Sequence, residues 1–151
     1  MTTEIRFYHM EKQKLEDVLP ALLLKALENG RRILVKTLDE KEAERLCEHL
    51  WTYQPDIFLP HGTQKDGNAE KQPVFLTANN ENPNNADMII LTQGMACDDL
   101  SPFSLCCEIL DGRDETQIAA ARNRWKKYKE AGHALTYWQQ GEKSWEKKNT
   151  A

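Results

Sequence analysis

The sequence predicts an α/β fold in which a parallel or mixed sheet is covered by helices. Three observations lead there. Strand, helix, strand and helix patterns follow one another within the first fifty residues. A length of 151 residues suits a single core, which at this size buries roughly 70% of the unfolded surface. No internal repeat or linker divides the chain, so residues 1–140 form one expected domain and 141–151 a charged, aperiodic tail expected to fray.

Glu4 to His9 (E-I-R-F-Y-H) is rich in β-branched and aromatic residues and predicts the first strand. Leu15, Val18, Leu19, Leu22, Leu23, Ala26 and Leu27 then recur at helical spacing between Lys14 and Asn29. Pro20 marks either a kink in that helix or its first turn, and Gly30 is a stop signal. R-I-L-V-K-T, from Arg32, reads as a buried strand. Thr37 and Glu40 have capping-box spacing for a helix from Glu40 to Leu50. Trp51 to Gly62 is aromatic and twice interrupted by proline, which argues against helix or central strand. Its aromatic residues either seal the edge of the core or form a patch for a partner protein. Thr63 to Gln72 is polar and predicts a surface loop. Further strands are expected at Val74–Thr77, Asp87–Thr92 and Leu105–Leu110. Between them lie an asparagine-rich turn and an irregular connection.

The most informative stretch runs from Asp111 to Gln140. Asp114 and Glu115 suit a helix N-terminus and Gly132 a left-handed C-cap. Ile118, Ala121, Trp125 and Tyr128 fall on one face, with Arg122, Lys126 and Lys129 on the strip beside it. From Thr116 to Lys129 there are five basic residues and no acidic one, within a chain of net charge −4. Such a helix is either an ordinary solvated face or a docking surface for an acidic peptide or nucleic acid. Cations flanking an apolar stripe suit a partner that carries acidic and aromatic groups together. Ala134 to Trp138 is expected as a short edge strand or an extended tail.

Composition bounds the function. No apolar run approaches the roughly 20 residues of a membrane span, and M-T-T-E-I-R lacks the features of a signal peptide. Four cysteines form no C-x-x-C pair, and the adjacent Cys106 and Cys107 are expected to be small reduced hydrophobes. A cytoplasmic protein is expected. Neither G-x-G-x-x-G nor G-x-x-x-x-G-K-[ST] occurs, and the four histidines have no zinc spacing. The serines have no nucleophile-elbow context. No catalytic residues, metal ligands or cofactor site are therefore assigned.

Several segments together resemble the chi subunit of bacterial DNA polymerase III holoenzyme. They are I-R-F-Y-H, L-L-L-K-A-L-E-N-G-R-R-I-L-V, L-C-E-H-L-W with F-L-P-H-G, P-V-F-L-T, and A-R-N-R-W-K-K-Y-K-E-A-G-H-A-L-T-Y-W-Q-Q. The resemblance implies a three-layer, mostly parallel Rossmann-like sheet without a nucleotide site, and a non-catalytic adaptor that needs no cofactor. It implies two partners: the acidic, phenylalanine-ended C-terminal tail of single-stranded-DNA-binding protein, and the psi subunit of the clamp loader. The tail site maps onto Arg122, Trp125 and Lys126, with Lys129 nearby. The psi surface maps onto Trp51, Phe58 and Pro60, with His61 adjacent. One departure is Ile118, which stands where some relatives carry another basic residue. The alternatives are direct binding of single-stranded nucleic acid, which the net negative charge disfavours, and a small-molecule enzyme with an unrecognised site.

Overall fold

The apolar runs pair into one sheet because strands buried on both faces must satisfy every backbone group laterally. The computed structural model describes residues 3–11, 13–52, 62–63, 69–79, 81–97, 99–140 and 145–150. The strands are β1 (Glu4–Met10), β2 (Ile33–Lys36), β3 (Gly62–Thr63), β4 (Val74–Thr77), β5 (Met88–Leu91), β6 (Leu105–Asp111), β7 (Ala134–Gln140) and β8 (Trp145–Thr150). Their spatial order is β3-β4-β2-β5-β6-β1-β7-β8. All neighbours are parallel except the β7–β8 pair.

Three layers result. Helices α1 (Leu15–Glu28) and α2 (Glu40–Thr52) cover one face, where Leu19, Leu23 and Leu46 pack with Tyr8, Val35, Ile90 and Cys107. Helix α3 (Glu115–Glu130) lies on the other, with Ala121 over Ile5, Phe7, Cys106 and Leu135. Beyond α3 this second face is covered by Ala86, Leu100 and Phe103, which lie outside helices and strands. The adjacent cysteines thus serve opposite faces, and both are free. Burial pushes the Cys107 thiol up to about 12, so it stays protonated at neutral pH. No helix among the described residues is long and apolar enough to cross a membrane.

Several expectations are revised. Of the two readings of Pro20 the first turn is set aside, because the residue sits inside α1. Proline there cannot donate to the carbonyl of Glu16. His49 of α2 supplies the missing donor through Nε2, 2.9 Å from that oxygen. Arg45 reaches the Glu16 carboxylate at 2.9 Å, so the two helices are tied at one residue. The cap of α2 is Asp39 rather than Thr37: its carboxylate accepts from the Glu42 amide at 2.8 Å, while the Thr37 hydroxyl donates to the Asp39 carbonyl. Thr63, expected in a surface loop, is buried in β3 beside β4, and Ala69–Lys71 form a 3-10 turn. The stretch Ala134 to Trp138, expected as a short edge strand or an extended tail, belongs to β7 and is interior to the sheet, because Trp145–Thr150 pair with it as β8 where aperiodicity predicts fraying. Trp138 and Trp145 anchor this hairpin on the α1 face, a long-range contact that one tryptophan in a charged stretch does not announce.

The proline and the histidine are therefore energetically coupled. Pro20→Ala restores an amide donor, so His49→Ala is expected to cost about 1 kcal/mol less in the Pro20→Ala background than in the wild type. Urea unfolding of the four proteins in this cycle measures the difference; strict additivity would show that the Glu16 carbonyl is not what links them.

Candidate functional site

Helix α3 begins where the sequence predicts. The Asp114 carboxylate accepts from the amides of Thr116 and Gln117 at 2.9 and 3.3 Å, and Gly132 takes a positive φ of 88° just beyond the last turn. Its predicted apolar face is the packed one: Ala121 is buried, and Ile118, Trp125 and Tyr128 lie half-buried against the sheet.

The five cations of this helix divide into two kinds. Arg124 turns inward on the β6 side, where its Nε lies 2.6 Å from Glu108 Oε1. Glu108 is 2% exposed, and its second oxygen has no hydrogen-bond partner among the described residues. Burial holds its carboxyl above the ordinary carboxylate range, and the Arg124 charge works against that rise. The Tyr128 hydroxyl belongs to the same buried group, and burial followed by the Glu108 charge raises its pKa far above normal. Arg122, Lys126, Lys127 and Lys129 are instead exposed, and none makes an ion pair among the described residues.

The exposed cations border an aromatic corner. Phe7 of β1 is fully buried beneath it, with Trp125 edge-on at 5.4 Å between ring centroids. Tyr137 of β7 stacks on Phe7 at 6.2 Å and 16°, and meets Trp125 at 6.2 Å and 72°. The Tyr137 hydroxyl lies 2.5 Å from His9 Nδ1, while His9 Nε2 approaches Glu11 at 3.2 Å. Gly112 lets this ring lie close: a Cβ there would collide with the His9 imidazole and the Met10 carbonyl. Burial holds the Tyr137 phenol above its ordinary pKa, and the Arg122 charge opposes the shift.

Arg122, Trp125, Lys126 and Lys129 are thus brought to one flank of α3, with Arg122 and Trp125 facing β7. Local sequence patterns offer no reason to add Phe7, His9 or Tyr137. Strand alternation of Leu135 and Tyr137 could have placed the tyrosine on the α3 side. Of the second predicted surface, Trp51 is the penultimate residue of α2, and Phe58, Pro60 and His61 lie outside the described residues.

Two other clefts have less to offer a charged partner. A cleft of about 840 Å³ separates α1 from β1, β7 and β8, but its Arg6 and Arg31 are already paired with Glu4 and Asp87. Another, of about 320 Å³, lies at the carboxyl ends of β1 and β6, whose following helices go to opposite faces. Open α/β sheets bind nucleotides at such a switch point. Here the amides at the start of α3 are occupied by the chain's own Asp114 carboxylate, and the Asp111 amide donates to the Gln117 side chain.

The chain matches the family described as DNA polymerase III chi subunit, HolC, over residues 1–136. It is 30% identical over 88 residues to a probable DNA polymerase III subunit chi of Rickettsia prowazekii (strain Madrid E), a match covering 58% of this chain and 53% of that protein. It is 29% identical over 108 residues to the DNA polymerase III subunit chi of Escherichia coli (strain K12), covering 71% and 73%.

The buried pair predicts an unusual pH response. Arg124→Met leaves Glu108 buried without its cation and is expected to cost about 3–5 kcal/mol at neutral pH. Because the folded-state carboxyl pKa is raised, the folded protein holds its proton to higher pH than the unfolded chain does. Stability then falls as pH rises upward from the ordinary carboxylate range. The variant should accordingly be less impaired in mild acid, and Glu108→Gln in the same background should recover stability at neutral pH. Urea unfolding across that pH range checks both outcomes; a pH-independent loss would mean the pair contributes packing alone.

Proposed function

Since the chain belongs to the DNA polymerase III chi subunit family, an accessory component of the replication machinery, we propose that it is a non-catalytic adaptor within that machinery. Its basic helix takes the acidic, phenylalanine-ended tail of single-stranded-DNA-binding protein, and its aromatic segment from Trp51, at the end of α2, to His61 takes the psi subunit of the clamp loader. The observation that carries the first half is the flank of α3. Arg122, Lys126 and Lys129 stand exposed and unpaired among the described residues, beside the half-buried ring of Trp125. Side chains committed to the protein's own stability look different, as Arg124 on the same helix demonstrates.

The chemistry fits such a tail. A carboxylate accepts charge-assisted hydrogen bonds from a guanidinium, bidentate where the fork can align. Burial of a phenylalanine side chain contributes roughly 1.5–3 kcal/mol, and each partly exposed ion pair roughly 0–1 kcal/mol. After the cost of ordering a free peptide, about micromolar affinity remains. Ile118 in place of a cation shifts the charge of the site toward Lys126 and Lys129. Direct strand binding has weaker support, because the chain as a whole carries net charge −4.

Calorimetric titration of a peptide ending Asp-Asp-Ile-Pro-Phe is expected to give roughly micromolar binding that weakens with added salt. Arg122→Ala should weaken it about tenfold. Equal, salt-insensitive binding by both proteins would overturn the assignment. For the second interface, Trp51→Ala is expected to abolish co-purification with psi and leave the peptide titration unchanged. Retention of psi by that variant would move the interface elsewhere.

A further inference from the structure

We propose that Tyr137 is the sheet-side wall of the tail site and sets its preference for an aromatic terminal residue. This inference rests on the tail-docking proposal and adds to it a residue on a different element. Trp125 and Tyr137 stand 72° apart over the buried Phe7. Two half-buried rings at that angle form a corner in which a guest phenyl can stack on one wall and meet the other edge-on. Both geometries are favourable for aromatic pairs.

The wall is held in place before any guest arrives. Tyr137 is clasped at its hydroxyl by His9 and supported across its face by Phe7. Its backbone is paired on both sides, with Phe7 of β1 and Asn149 of β8. Little side-chain freedom is then lost on binding, which preserves affinity.

The corner also sets a direction. Arg122 stands three residues before Trp125 on the same flank of α3, so a terminal residue whose ring enters the corner has its carboxylate within reach of the guanidinium. Toward the other end of β7, the Glu11 carboxylate accepts from the Gln139 amide and repels an acidic segment laid that way. The tail's aspartates are therefore directed along α3 toward Lys126 and Lys129. Tyr137 lies one residue past the span that matches the family.

The test compares two peptides, one ending Asp-Asp-Ile-Pro-Phe and one in which alanine replaces the terminal phenylalanine. Wild type, Tyr137→Phe, Tyr137→Ala, Tyr137→Val and Arg122→Ala are titrated with each, and circular dichroism verifies folding. Wild type and Tyr137→Phe should share one preference for the phenylalanine-ended peptide. Tyr137→Ala and Tyr137→Val should reduce that preference by about three- to tenfold, the range aromatic pairs are worth. Arg122→Ala should weaken both peptides alike and leave their ratio unchanged, which a general loss of structure at Tyr137 would not mimic. If Tyr137→Ala does not fold, the valine variant, suited to a strand, decides. An unchanged ratio in the folded variants overturns the role of Tyr137 while the tail site stands. Failure of wild type to bind either peptide overturns both.

Discussion

The buried contact between Arg124 and Glu108 fixes how α3 is turned on the sheet. Each helical residue advances about 100° around the axis, so a residue held inward over β6 determines where every other side chain points. With Arg124 on the β6 side, Arg122 falls about 200° away, on the flank that faces β7. Lys126 and Lys129 follow it outward, and Trp125 is left straddling the boundary. A small rotation would bury a cation or expose Ala121, and the pair penalises it because a separated Glu108 would keep a charge in the core. Buried ion pairs are weak contributors to net stability, but breaking one is costly. That asymmetry suits the setting of a helix's rotation.

The alternation of helices and strands was legible because apolar periodicity reports which face meets a core. The N-cap of α3 and the course of β1, β2, β4, β5 and β6 follow from local residues alone. What the sequence hid was non-local. No propensity shows that the carbonyl orphaned by Pro20 is met by a histidine 29 residues on, at position 49. Nor does composition show that Lys147 will lie over Trp138 in a terminal hairpin. The candidate site divides in the same way. Its helical half is readable from spacing; its strand half, Tyr137 over Phe7, depends on β7 returning beside β1.

The same topology explains why a sheet of this class bears its exposed charge on a helix flank rather than in a nucleotide crevice. At the switch point between β1 and β6, the helix amides that could hold a phosphate already bond Asp114, and Arg113 is drawn to Asp111. Satisfied groups have little to gain from a ligand. On α3 the situation is reversed: four cations face solvent without a partner among the described residues. The local field there is positive although the molecule is acidic overall. An acidic guest is drawn to that flank, and like charge elsewhere on the surface discourages it from settling in the wrong place.

The terminal hairpin completes the corner. A strand at the edge of a sheet exposes unpaired backbone groups and moves more freely. Pairing with β8 makes β7 an interior strand, so Tyr137 is carried on backbone held from both sides. Trp138 and Trp145 reinforce this from the opposite face, where both rings pack on Tyr8. Residues that never touch the α3 side therefore determine how firmly one wall of the aromatic corner is held. β8, with Trp138 and Trp145, lies beyond the span that matches the family. A ring placed this firmly discriminates by shape, whereas a ring on a fraying edge would yield to whatever pressed against it.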